Sequence, residues 1–509
     1  MEGVSYEAAS LAGHLQLSNL IYLYDDNQIT IDGSTDLAFT EDRTKRFEAL
    51  GWHVDEVQDG NDINAIEQAI RRAQRVKDKP KLIRVHTIIG FGMPAEGTNK
   101  AHSDAPGDAA VRETKRNLGW PEKKNFFIPK EALAHFRKAV KAGAKHEKDW
   151  NALVKRYEKA HPGLGGDFRD IRASTLPDGW ESSLPSFADV ESKATRAYSG
   201  EVINAIAGAV PAMLGGSGDL TPSNNTYIKS SKNFEPGSYA NRNIHYGIRE
   251  HGMAAVMNGI ALFGATIPFG GTFQTFSDYM RPAVRLAALS DIHTIFVYTH
   301  DSIGLGEDGP THQSVEHLAA LRAIPNLNLI RPADAHEVRE AWRAAIKHST
   351  GPTAFALSRQ KVAVIDRRKF ADARGLHKGA YVLAEAASKA GKDTTPKLIL
   401  IATGSEVGLA LEARDRLQAD GIATRVVSMP CWEFFETQSA KYKESVFPAK
   451  VTARLSIEAG VSLGWAKYTG DKGANLAVDR FGESAPAADV FRDYGFTVEN
   501  AVKIAKGLL

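Results

Sequence analysis

The 509-residue sequence has one cysteine, Cys431. A single chain can therefore build neither a disulfide framework nor a cysteine-based zinc site, which suits a reducing cytosol. It has no apolar run of the roughly 18 residues that a membrane helix needs. The opening MEGVSYEAAS has no basic n-region and apolar core of a leader. Neither sign of charge is in excess: 63 Lys and Arg oppose 61 Asp and Glu, a net +2. That balance argues against a general nucleic-acid or membrane-surface binder, so any basic residue that matters must be placed individually. No internal repeat of constant period and no low-complexity tract occurs. The length exceeds one core and predicts two to four domains.

The most informative stretch is 298–316, YTHDSIGLGEDGPTHQSVE. The run Ile292 to Thr299 reads as a buried parallel strand. Three glycines (Gly304, Gly306, Gly309) and Pro310 then forbid regular structure, among two histidines (His300, His312) and three acids (Asp301, Glu307, Asp308). Ligands of parallel α/β sheets bind past the carboxyl ends of strands, which makes this loop a candidate site and not a plain solvated turn.

Upstream, a helix over Glu2–Leu15 runs straight into a strand at Asn19–Tyr24 that ends in Asp25-Asp26-Asn27. Further strands are expected at His53–Val57 and Leu82–Thr87, with a helix at Ile63–Val76 between them. Three strands make a thin sheet, as though its front were absent or supplied by another chain. The glycine-rich loop after Thr87 carries His102, which by itself reads as a surface histidine. Residues 129–160 read as a basic helix, and 161–187 carry Pro and Gly at linker density. A second domain starts near Ala188, with Arg196 early in a helix over Thr195–Val210, Glu250 in the first turn of another, and Arg359 just past a strand at Thr353–Ser358. Glu250 by itself reads as an acid favoured at a helix start. Phe273, Phe276 and Tyr279, at spacings of three, by themselves read as core. A third domain from about Gly375 shows no paired acids, histidines or glycine fingerprint and reads as a structural or interface α/β domain.

The pieces EGVSYEAASLAGHLQLSNLIYLYDDNQITIDG, GSGDLTPSN, NIHYGIREHGM, FGGTFQTFSDY, THDSIGLGEDGPTHQSVEHL, RPAD and LSRQ occur in one order over essentially the whole chain. Together they resemble transketolase, the thiamine-diphosphate enzyme family that moves two-carbon ketol units from ketose phosphates to aldose phosphates in the pentose phosphate pathway. The resemblance implies three doubly wound α/β domains: diphosphate-binding at 1–160, a linker at 161–187, pyrimidine-binding at 188–365 and C-terminal at 375–509. The family's Gly-Asp-Gly, which would precede Glu2-Gly3, is not in this sequence. The first domain therefore reads as truncated, and the expectation is weak cofactor binding and little activity from the chain alone.

The resemblance also implies roles. Glu250 would promote the active tautomer of the pyrimidine, a task that needs a raised pKa in a dry site. Phe273, Phe276 and Tyr279 would form the pyrimidine pocket, Phe276 stacking on the ring. Glu2, Gly3, Asn27, His102 and Asp219 complete the cofactor set. The Asn27 side chain and the Ile29 carbonyl would bind Mg²⁺ or Ca²⁺ as hard oxygen ligands. Arg196, Ser223, His300 and Arg359 match the substrate-phosphate set. Asp308 would accept from a substrate hydroxyl, and His312 and His102 would lie near the reacting carbons. A cytoplasmic homodimer with composite sites is implied, with no nucleic acid or membrane partner. A catalytically silent relative that dimerises or regulates is the alternative from another class. Among enzymes, GEDGPTHQ followed by Glu316 spells transketolase and not deoxyxylulose-phosphate synthase, while dihydroxyacetone synthase stays open.

Overall fold

The computed structural model describes residues 2–387 and 394–509, which fall into two compact units, 1–166 and 167–509. In the first unit the strands are β1 (Ile21–Asp26), a small hairpin of β2 (Ile29–Thr30) and β3 (Gly33–Ser34), β4 (His53–Val57) and β5 (Lys81–His86). β1, β5 and β4 lie side by side in that order, all parallel. The central strand β5 reads KLIRVH, and its alternation fills two faces. Leu82 joins Ala9, Ala12, Phe47 and Trp52 on one face, while Ile83 and Val85 join Val57, Ala69 and Ala73 on the other. The helix Gly3–His14 lies against the turn at Leu50, so close that a Cβ on Gly13 would sit 1.8 Å from the Leu50 carbonyl oxygen. The Trp52 indole donates to the Ala9 carbonyl at 2.8 Å.

The stretch 161–187 is not continuous coil. Pro162–Arg172 is helical, because proline at a first helical position sacrifices no needed N–H. Trp180 is buried among the apolar residues of the second unit.

That unit holds β6 (Met213–Ser217), β7 (Asn243–His245), β8 (Ile267–Phe273), β9 (Ile295–Thr299), β10 (Asn328–Ile330) and β11 (Thr353–Leu357). They form one parallel sheet in the order β10-β11-β9-β8-β6-β7. The chain leaves β6 in one direction for β7 and then returns to β8 on its other side. The crevice beyond the carboxyl ends of β6 and β8 is therefore the topological switch point. Helices Thr195–Ala209 and Ala335–Lys347 cover one face, packing Tyr198, Val202, Ile203 and Trp342 on Phe269, Ile295, Val297 and Phe355. Helices Glu250–Phe263 and Ser277–Leu289 pack together on the other.

The C-terminal sheet comprises β12 (Tyr381–Ala384), β13 (Leu398–Ala402), β14 (Thr424–Ser428), β15 (Arg454–Ile457) and β16 (Ala474–Leu476), in the order β12-β14-β13-β15-β16. Only β12 is antiparallel. Cys431, just past β14, does not belong to this domain's core. It is buried with Ile330, Trp342 and Phe355 of the preceding domain. No helix among the described residues is long and apolar enough to cross a membrane.

Candidate active site

Four strands of the six-stranded sheet deliver the candidate residues of the second unit. β6 ends at Gly218 and Asp219, the latter at φ 65°, followed by a short helix Thr221–Asn224 that carries Ser223. β8 ends at Phe273, His300 directly follows β9, and Arg359 lies just past β11. Around β11 the local chemistry is reciprocal. The Thr195 N–H donates to the Ser358 hydroxyl at 3.0 Å, and the Ser358 N–H donates to the Thr195 hydroxyl at 2.7 Å. Each partner is followed by an arginine, so this pair seats Arg196 and Arg359 as neighbours. Arg196 also donates to the Ser223 carbonyl.

No carboxylate among the described residues forms an ion pair with either arginine. Burial and the charge of Arg359 both lower the proton affinity of Arg196. His300, buried and at φ 61°, feels the charge of both. Burial, then Arg196, Arg359 and His312, push its pKa down to about 3, so the imidazole is neutral at neutral pH. Its Nδ1 lies 2.8 Å from the Thr299 hydroxyl, which accepts at 2.7 Å from the Asn224 amide. A region of positive potential without a resident anion is what an anionic ligand requires.

Beside this cluster stands an aromatic ladder. The Phe273 and Phe276 rings are stacked at 5.8 Å, as are those of Phe276 and Tyr279. His300 lies 3.7 Å from the Phe273 centroid, and His312 meets Phe276 edge-on at 5.5 Å. The ladder is not the core stripe that its spacing suggests, because it spans a strand end, a 3-10 turn and a helix start. Tyr279 is 65% exposed. Glu250, buried in the first turn of its helix, lies beside the β6 loop, where a Cβ on Gly218 would sit 3.9 Å from Glu250 Cγ. Asp308 is exposed on the 298–316 loop, and His312 is half-buried there, its Nδ1 2.9 Å from the Thr311 hydroxyl.

Not every acid of that loop faces outward. Asp301 is buried and accepts from Arg331 Nε at 2.9 Å. Arg331 in turn donates to the Thr403 carbonyl and hydroxyl and to Glu406, all from the C-terminal domain. Acids of the third domain thus engage the domain before it. Glu458 pairs with Arg322 through two bonds of 2.7 Å. No spacing rule links residues so far apart in the chain.

In the first unit, Asn27, Gln28 and Ile29 form a tight turn in which Asn27 Oδ1 accepts from the Ile29 N–H at 3.0 Å and Gln28 has φ 60°. The turn presents oxygen donors, the class a hard cation prefers. Neighbouring Asp26 is committed elsewhere. Burial opposes its ionisation, but Arg84 and Arg43 outweigh that and hold its carboxyl below the usual range. Glu2 and Gly3 are exposed at the start of the first helix, and His102 is exposed on a single turn, Lys100–Ser103. Asp278, Glu316 and His317 have the composition of a metal site among the described residues. However, Asp278 faces Nε2 at 3.1 Å and Glu316 faces Nδ1 at 3.8 Å. Each acid thus faces a different nitrogen of the one ring.

These features define a three-domain α/β chain of the thiamine-diphosphate kind. Residues 1–177 match the transketolase thiamine diphosphate binding domain, 191–364 the transketolase pyrimidine binding domain, and 379–497 the transketolase-like C-terminal domain. A transketolase of Geobacillus stearothermophilus is 50% identical over all of this chain and 76% of its own length. The transketolase of Leishmania mexicana superposes with a TM-score of 0.94 at 41% identity, covering all of this chain and 74% of that one. A Pichia stipitis transketolase, in complex with sedoheptulose 7-phosphate, superposes with a TM-score of 0.94 at 42% identity and the same coverage. The chain belongs to the transketolase family and is an enzyme of that type. An aromatic ladder with an open face beside a buried carboxyl fits a flat heteroaromatic ring that needs an acid, as thiamine diphosphate does.

Proposed function

We propose that the crevice beyond β6, β8, β9 and β11 transfers a two-carbon ketol unit from a ketose phosphate to an aldose phosphate. The observation that carries this reading is a pair of neighbouring arginines, Arg196 and Arg359, that have no ion-paired carboxylate among the described residues and whose charges both act on the neutral His300. When bound, thiamine diphosphate supplies the nucleophilic carbon for breaking and making the carbon–carbon bond. Glu250 holds a proton at its carboxyl in a water-poor first turn and presents it to the pyrimidine. Phe273, Phe276 and Tyr279 take the pyrimidine face, with Asp219 close by. Arg196, Ser223, His300 and Arg359 grip the sugar phosphate, since a guanidinium fork matches phosphate oxygens. Asp308 accepts from a substrate hydroxyl, while His312 and His102 bind hydroxyls and move protons near the reacting carbons.

The Asn27 side chain and the Ile29 carbonyl would ligate Mg²⁺ or Ca²⁺ at the diphosphate, with Glu2 and Gly3 at its edge. A cytoplasmic homodimer whose sites draw on both copies is part of this reading. The complex of the Pichia stipitis relative with a sugar phosphate supports the substrate class. The test is donor selectivity. Arg359→Ala and Arg196→Ala each remove a charge-assisted contact of roughly 1.5–3 kcal/mol, so kcat/KM should fall about 10- to 100-fold for ketose phosphates and far less for hydroxypyruvate. Equal losses for both donors would count against the phosphate grip.

A further inference from the structure

The loop 300–316 carries three of the residues assigned above to substrate, and much of it is held by the C-terminal domain. Its Ile303 and Val315 side chains are buried in the core of the C-terminal domain, with Leu398, Leu455 and Val490. The Val461 N–H donates to the Val315 carbonyl at 3.1 Å, and the Ser484 hydroxyl donates to the Glu307 carbonyl. Arg331 ties Asp301 to Glu406. Gly306 and Gly309, at φ 91° and 78°, turn the chain where it runs against Ala487 and Ser484.

The central strap is Gln313, which is 3% exposed. Its carboxamide spends both hydrogens on carbonyls, Gly306 of the loop at 2.8 Å and Glu483 of the C-terminal domain at 2.9 Å. An amide NH₂ is the one neutral side-chain group that can donate twice from a single atom in this position. The carboxamide fits because residue 482 is glycine: a Cβ there would lie 1.5 Å from Gln313 Oε1. The strapped segment 306–313 includes Asp308 and His312 on its outer side.

We propose that Gln313 is a positioning residue through which the C-terminal domain fixes the 306–312 turn, and with it the placement of Asp308 and His312 toward the sugar. This rests on the reading of the site given above and deepens it. The pyrimidine ladder and Glu250 lie on β8 and the helices that follow β7 and β8, outside the strap. Cofactor affinity therefore depends on the strap only through the edge contact of His312 with the ladder.

Gln313→Leu removes both donors at similar volume. Gly482→Ala displaces the carboxamide from the C-terminal side without touching the loop. For both variants, kcat/KM for a ketose phosphate should fall about 10- to 100-fold, on the scale of losing buried hydrogen bonds. The Kd for thiamine diphosphate with Mg²⁺, measured by calorimetry, should stay within about twofold, far inside the tenfold step that one lost contact would produce. Hydrogen–deuterium exchange should accelerate in 304–313 and leave the peptide over 267–276 unchanged. Unaltered exchange in 304–313, or a loss of cofactor affinity as large as the loss in kcat/KM, overturns the proposal. Wild-type protein that turns over no ketose phosphate would overturn the reading of the site instead, and the exchange comparison would still decide whether the strap exists.

Discussion

At the scale of single residues, two titratable side chains of the proposed site are buried, Glu250 and His300. Glu250 is a buried carboxyl in the first turn of its helix, and the proposed function gives it the proton transfer to the pyrimidine. Replacing it by glutamine keeps its shape and removes its proton transfer. Turnover of a ketose phosphate by Glu250→Gln should drop by about 10²–10⁴-fold, with the thermal midpoint within a few degrees of wild type. His300 is instead kept neutral by burial and by the cations around it, its pKa pushed down to about 3. An unfolded histidine titrates near pH 6.5. Between those values the unfolded chain binds the extra proton, so stability is fully present above about pH 6.5 and is lost as pH falls toward 3. From pH 7 to pH 5 the loss attributable to this residue is about 2 kcal/mol. Urea unfolding of wild type and His300→Gln at both pH values measures it, and the variant should lose less stability on acidification.

Element geometry explains which parts of this architecture can be read from the residues. β5, β9, β13 and β14 are dense in aliphatic and β-branched side chains and stand out as buried strands. β8 does not, because IPFGGTF breaks its pattern with two glycines that the packing demands. A Cβ on Gly270 would meet Met257 Sδ at 2.4 Å, and one on Gly271 would meet Thr226 Cγ2 at 2.8 Å. The helix Ser277–Leu289 hides behind Pro282 in its interior, a residue that ordinarily argues against a helix. Candidate residues at strand ends, such as His300 and Arg359, are legible because the chemistry sits where a recognisable strand stops. The Arg331 ties and the Gln313 strap join positions 30 to 170 residues apart, which no local pattern encodes. The same close packing makes β6 brittle. A Cβ on Gly216 would fall 1.8 Å from the Ile244 carbonyl oxygen. Gly216→Ala should therefore force β7 outward and cost about 1–3 kcal/mol, read as a drop in the urea midpoint.

On the scale of the whole molecule, the second unit is two sheets whose cores trade side chains. Ile303 and Val315 enter the C-terminal core, and Cys431 crosses the other way into the core behind β11. That exchange gives the chain an internal clock. The thiol is fully buried and its acidity is suppressed by burial, so an alkylating reagent reaches it only when the two sheets part. In native buffer, labelling of Cys431 should run roughly 10³-fold slower than in urea, the scale set by opening a well-packed region. Glu406→Gln, which weakens the tie to Arg331 on the same seam, should speed it. Mass spectrometry of intact protein over time reads both rates without any assay of catalysis. The lone sulfur would then report how often the seam between the two sheets breathes.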